Sequence, residues 1–163
     1  MEFYNALIGE ENDTQTIFDP LIGDWELEWV DSKNTDHERH VKGQWYFSKI
    51  LNGDGIQDIF ICPSREERKI NPQPDAEYGT TIRLYNQKTK KWDICYACTG
   101  KMVRLEAEKI GDEIILTNLD KSNGLNLWVF SDITSNRFHW ENKSSFDDGK
   151  TWQINGEVYA KRK

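Results

Sequence analysis

The stretch Leu21-Ile22-Gly23-Asp24-Trp25-Glu26-Leu27-Glu28-Trp29-Val30 decides the fold. Trp25, Leu27 and Trp29 fall on one side of an extended chain and Asp24, Glu26 and Glu28 on the other, the period-two alternation of a half-buried strand. Working outward, comparable runs follow at residues 41–51, 56–62, 78–85, 92–98, 102–109, 113–118, 125–131, 138–144 and 152–160, which with the first make ten predicted strands. Most of the links between them are short and polar: Asn52-Gly53-Asp54-Gly55, Thr99-Gly100, Gly111-Asp112, Lys121-Ser122-Asn123-Gly124 and Thr134-Ser135-Asn136. None holds a crossover helix, so sequential strands must be antiparallel neighbours. A sheet of that many strands leaves unpaired edges unless it closes on itself. The expected fold is therefore all-β, an up-and-down antiparallel β-barrel of about ten strands spanning residues 21–163.

Residues 1–20 carry apolar positions at Phe3, Leu7, Ile8, Ile17 and Phe18 with acids between them, and predict a short helix or arm that ends at Pro20. The longest interruption of the strand pattern is residues 63–76, where three of the 4 prolines sit among charges. A segment of this length is either a lid or binding loop, or a plain solvent-exposed excursion.

Composition excludes several function classes. With 28 acidic and 21 basic residues in 163, the chain carries a formal charge of −7, and its basic residues are scattered. That predicts no nucleic-acid partner, because a phosphate-tracking surface needs a basic surplus. No apolar run reaches the roughly 18 residues of a membrane span, and the start lacks a basic region followed by an apolar one. The expectation is a soluble, cytoplasmic protein without a membrane partner. Cys62, Cys95 and Cys98 have no framework spacing, so reduced thiols are expected. The sequons at Asn12 and Asn142 then carry no weight.

Gly23-Asp24-Trp25, opening the first strand, and Arg162, just beyond the last, resemble the Gly-x-Trp start and C-terminal basic residue of the calycin superfamily of lipocalins and fatty-acid-binding proteins. The resemblance implies that Trp25 packs at the closed end of the barrel beside Arg162. Further stretches, Gln57-Asp58-Ile59-Phe60, Gly79-Thr80-Thr81-Ile82-Arg83 and Phe138-His139-Trp140, are similar to a family of small uncharacterised bacterial proteins with lipocalin-like folds, a likeness that brings no activity with it. Ser145-Phe146-Asp147-Asp148-Gly149-Lys150-Thr151-Trp152 resembles a single Asp-box. One copy in so short a chain reports a hairpin turn, because a propeller requires several four-stranded blades; sialidase chemistry is rejected.

The aromatic residues are the strongest functional signal. All seven tryptophans, Trp25, Trp29, Trp45, Trp92, Trp128, Trp140 and Trp152, fall on predicted strands, where they either line a cavity or fill the core. Trp29, Trp45, Trp128 and Trp140 are expected as walls of a ligand cavity, with Asp58, Arg83 and Tyr96 supplying polar recognition. An inward Arg83 would clamp a ligand carboxylate or phosphate, with Asp58 fixing it or accepting a ligand proton. Alternation sets Arg83 opposite Ile82 and Leu84, which predicts an outward orientation; the resemblance, through the inward Arg and Tyr of lipid-type calycins, implies an inward one.

Catalytic residues are not identifiable beyond the weak candidates Asp58 and His139, the latter paired with Glu141 as a potential base. His37 and His40 lie in a charged loop and lack a third ligand, so no metal is expected. Cys95-Tyr96-Ala97-Cys98 has neither a partner pair nor a helix N-terminus, and two small buried thiols are expected there. No cofactor motif is present.

Three functions fit. The first is binding of a small, largely hydrophobic molecule in an aromatic-lined barrel cavity. The second is a cofactor-free isomerase, cyclase or hydrolase acting in the same cavity. The third is a structural or interaction protein with a filled barrel. The pattern leaves room for a homodimer.

Overall fold

The computed structural model describes residues 1–10 and 12–163; of the expected 1–20 arm, Glu11 lies outside the described residues. Ten strands follow in chain order: β1 Gly23–Asp31, β2 Arg39–Ile50, β3 Gly55–Cys62, β4 Glu77–Asn86, β5 Lys91–Cys98, β6 Lys101–Ile110, β7 Glu113–Asn118, β8 Leu125–Ser131, β9 Arg137–Ser145 and β10 Gln153–Arg162. Each pairs antiparallel with its sequence neighbour, and β1 pairs with β10 to close the barrel. The expected up-and-down barrel is thus the observed fold, and closure satisfies every strand edge.

Register explains the interior. Trp25 lies opposite both Trp45 on β2 and Arg162 on β10, so the three side chains share the inner face. Inward rings from β2, β3, β8 and β9 meet around Trp45, whose centroid lies 5.1 Å from those of Phe47 and Phe60, 5.5 Å from that of Phe130 and 5.7 Å from that of Phe138. Most of these pairs are edge-on or tilted, the arrangement ring quadrupoles favour. Small residues make room for the rings. A Cβ on Gly156 would come within 2.2 Å of the Trp29 indole, and one on Gly79 within 2.5 Å of the Tyr96 hydroxyl.

One end of the barrel is closed from below. A short helix α1, Glu2–Ile8, buries none of its residues, and beyond it Phe18 and a 3-10 turn at Asp19–Leu21 fold under the strands. Phe18 and Leu21 are fully buried, with Phe18 edge-on to Trp92 at 5.2 Å. There the Trp25 indole donates to the Leu21 carbonyl (2.8 Å), and the Arg162 guanidinium lies 4.1 Å over the Trp25 ring while donating to the carbonyls of Ile22 and Pro20. This is the closed-end arrangement implied by Gly-x-Trp and the terminal arginine.

The Asp-box-like segment forms the β9–β10 turn. Asp147 accepts from the Thr151 hydroxyl (2.7 Å), the Thr151 N–H (2.9 Å) and the Ser145 hydroxyl (2.9 Å), while Asp148 and Gly149 take positive φ. The Thr151 hydrogen bonds, supported by Ser145, hold the Asp147 carboxyl down at about 2. A carboxyl lower in the folded than the unfolded state contributes stability that is complete above its ordinary value and lost as pH falls toward the folded value. Asp147→Asn is therefore expected to lower Tm above about pH 4, with the difference from wild type closing as the pH is brought to about 2; a difference constant across that window contradicts the assignment.

Candidate functional site

The inner ends of the strands leave a cavity of about 150 Å³ between the ring cluster and the end of the barrel opposite Trp25. A dry apolar cavity of about that size accepts one benzene ring. Trp29, Trp45, Trp128 and Trp140 line it together with Phe60, Leu116 and Phe130, and Trp140 bridges the walls at 5.7 Å from Trp128 and 6.0 Å from Trp29 and Trp45. Arg83, Thr81 and Tyr96 also line it, so the structure brings together six of the seven residues expected at a ligand site.

The seventh, Asp58, stands beside Arg83. Ile56 on β3 is the register partner of Arg83 on β4, which places Asp58 diagonally across from the arginine on the inner face. Asp58 is 0% exposed and Arg83 1%, and the Asp58 carboxylate accepts from Arg83 Nη2 at 2.5 Å. The guanidinium also lies 5.0 Å over Phe18 and 5.4 Å over Phe47. Alternation had pointed Arg83 outward because Ile82 and Leu84 resembled core residues. They are instead 40% and 41% exposed on the outside of β4, an apolar outer strip that inverts the usual polarity of the strand.

A burial this deep leaves some polar atoms without a protein partner: Arg83 Nε and Nη1, Trp45 Nε1, Trp128 Nε1 and Asp58 Oδ1. Buried polar atoms are ordinarily satisfied, so these stand out from the rest of the interior. Arg68 Nη1 is likewise unpartnered, and of the five residues carrying such atoms Trp45, Arg83 and Trp128 line the cavity, although the atoms themselves have almost no accessible surface.

Charged residues ring the mouth. Arg39, the first residue of β2, donates to Asp31 at 2.6 Å and grips Asp75 through both terminal nitrogens (2.6 and 3.1 Å). These bonds, from Asp75 first and Asp31 second, raise the Arg39 guanidinium above its usual range. Lys101 on β6 binds Glu77 on β4 at 2.7 Å, and the Tyr96 hydroxyl donates to the same Glu77. Burial, then that Glu77 contact, pushes the Tyr96 hydroxyl well above the usual phenol range. Cys62, the thiol on the cavity wall, is pushed up to about 12 by burial and stays protonated at neutral pH.

Residues 63–76 border this mouth. Pro63, Gln73 and Asp75 reach the cavity, whereas the helical turn α2 at Glu67–Ile70 lies outside the barrel, where Arg65 donates to Gln44 and to the Tyr46 hydroxyl of β2. The segment is pinned rather than free, with only its two ends at the opening.

His139 lies elsewhere. It faces the outside of β9, its ring 3.0 Å from Glu157 and 4.8 Å from the Tyr159 ring. Glu141 shares that outer face, and Glu157 is further engaged by Lys33 at 3.1 Å. Cys95 and Cys98, expected as buried thiols, are half-buried, while Cys62 is the buried one.

Arg39, Glu77 and Lys101 were not singled out in the sequence. Each begins a strand at the same barrel end and falls an even number of positions from an inward residue: Trp45, Arg83 and Leu105 respectively. Period-two counting back from those residues is the signal that finds them.

No family model and no curated protein matches this sequence. Among solved structures, Rv2717c from M. tuberculosis is similar with a TM-score of 0.58 at 10% identity, over 94% of this chain and 99% of that one. An S-type phycobiliprotein lyase, CPES from Guillardia theta, is similar with a TM-score of 0.57 at 9% identity, over 90% of each chain. At these identities the likeness is one of fold, which in this chain is a closed antiparallel barrel of ten strands.

Proposed function

We propose that this protein binds a small, largely hydrophobic ligand inside the barrel, with Trp29, Trp45, Trp128 and Trp140 as walls and Arg83 and Tyr96 as its polar contacts. The observation that carries this reading is the cavity of about 150 Å³, walled by aromatic rings, with Thr81, Arg83 and Tyr96 also on its lining. Pockets that hold small molecules share this combination of apolar walls and a few placed polar groups. Asp58 holds Arg83 in position by their buried pair. The similarity in fold to the phycobiliprotein lyase, at 9% identity, lends the reading support by fold and not by residue.

Intrinsic tryptophan fluorescence tests it. Four of the seven indoles line the cavity, so titration with a panel of fatty acids, retinoids, aromatic acids and aromatic ketones is expected to quench or shift the emission for at least one class. Trp128→Ala is expected to weaken that ligand by about tenfold or more. Indifference across the whole panel contradicts the reading.

A further inference from the structure

On the outside of the barrel, His139 is held on β9 with one ring nitrogen anchored and the other turned toward carboxylates. Ser131 on β8 is its register partner, and the Ser131 hydroxyl lies 3.3 Å from Nδ1, while Nε2 lies 3.0 Å from Glu157 on β10. A bond at one ring nitrogen is how proteins orient an imidazole whose other nitrogen binds a metal. Glu141 stands directly across from Glu157 in the β9–β10 register, and one donor atom from each of the three residues lies within 4.8 Å of the others. A tetrahedral metal with bonds of about 2.1 Å spaces its donors about 3.4 Å apart, so a shift of about 1 Å by the half-buried Glu141 side chain completes the set. The two carboxylates also call for a cation. Like charges directly opposite on neighbouring strands destabilise a sheet, and Glu157 is only 4% exposed. Lys33, on the β1–β2 hairpin, lies 3.1 Å from Glu157, and Lys143 lies 3.9 Å from Glu141, but neither lysine pairs with both. Ion pairs made by lysines that reach into solvent contribute little, so releasing both to water costs little against three metal bonds formed at once. His40 offers no comparable site, because it is half-exposed and engages both ring nitrogens with Glu38 and Glu28.

We propose that the outer face of β9 and β10 binds one divalent transition-metal ion of the zinc class through His139 Nε2, Glu141 and Glu157, with water in the fourth position. An imidazole nitrogen beside two carboxylate oxygens suits zinc, whereas magnesium and calcium favour shells of oxygen alone. Ser131 is a positioning residue that fixes the imidazole, and Lys33 is the cation the metal displaces from Glu157. The site lies on the opposite side of the sheet from the aromatic cavity and stands whether or not that cavity binds a ligand.

The chain has 3 histidines, so their ring-nitrogen correlation signals report which one a metal reaches. Zinc chloride added at neutral pH to chelator-treated protein free of any affinity tag is expected to move the His139 signal, saturating at one ion per chain, and to leave His37 and His40 in place. Movement of His37 or His40 with His139 unmoved overturns the proposal, and so does the absence of any response at several equivalents. Magnesium chloride at the same concentrations is expected to do nothing; a response equal to that of zinc reduces the cluster to an acidic patch and overturns the assignment. In calorimetric titration, His139→Ala is expected to weaken zinc by about tenfold or more, and Lys33→Met, which removes the competing cation, to strengthen it by about threefold or more. Unchanged affinity in the first variant contradicts the site, and unchanged affinity in the second contradicts the competition. Should His139→Ala fail to fold, the wild-type ring signals decide alone.

Discussion

Asp58→Ala is expected to destabilise the protein by about 3–5 kcal/mol, because it strands the Arg83 guanidinium, 1% exposed, without its counter-ion. For a chain of this size that corresponds to a fall in Tm on the order of 10 °C. The pair itself is not a large source of stability, since the gain from bringing the charges together is offset by the cost of removing both from water. What the mutation exposes is the cost of an unpaired charge. The double variant Asp58→Leu with Arg83→Met, which removes both charges and keeps the apolar volume, is accordingly expected to recover most of the loss. Urea unfolding of the two variants beside wild type checks the pair of statements. A single variant within about 1 kcal/mol of wild type would show that Arg83 escapes to water and contradict the buried pair.

The second large effect belongs to the closed end. Trp25 is fully buried, edge-on to Phe138 at 4.7 Å, hydrogen-bonded to the Leu21 carbonyl and covered by Arg162. Trp25→Ala opens a cavity the surrounding strands cannot close, and is expected to cost about 3–5 kcal/mol. Trp152→Ala, at an outward indole that is 38% exposed, is expected to cost under about 1 kcal/mol. Because Arg162 ties the Trp25 ring to the carbonyls of Pro20 and Ile22, the variant lacking both side chains should lose less than the sum of the single losses. Thermal or urea unfolding measures all four variants, and strict additivity would mean that the contact between ring and guanidinium is incidental.

How much of this was legible before the structure depends on what each signal reports. Alternation in residues 24–30 and the short turns between strands settle the closed antiparallel barrel, since period two and hairpin links are local properties. The wall residues Trp29, Trp45, Trp128 and Trp140 were legible for the same reason, large rings on predicted strands needing an inner face. Arg83 was harder. Its neighbours Ile82 and Leu84 are the apolar side of β4 by sequence, yet they point to the outside, and only pairing with β3 reveals that Asp58 waits for the arginine within. His139 and Glu141 illustrate the reverse difficulty: two titratable residues two apart on a strand share a face, and the sequence carries nothing that says which face. The mouth ring of Arg39, Glu77 and Lys101 depends on which strand ends coincide in space, which register sets and composition does not.

A ligand held inside the barrel lies against the rings of Trp29, Trp45, Trp128 and Trp140. The N–H correlation signals of the seven indoles, assigned by single Trp→Phe substitutions and followed as benzene, a probe matched to the cavity, is added, test this most directly. The signals of Trp29, Trp45, Trp128 and Trp140 are predicted to move most, as the ring current of the probe reaches the cavity walls, while Trp25, bonded to the Leu21 carbonyl at the closed end, and Trp152, on the outer surface, stay in place. Movement confined to Trp152, or no movement at saturating ligand, would contradict it.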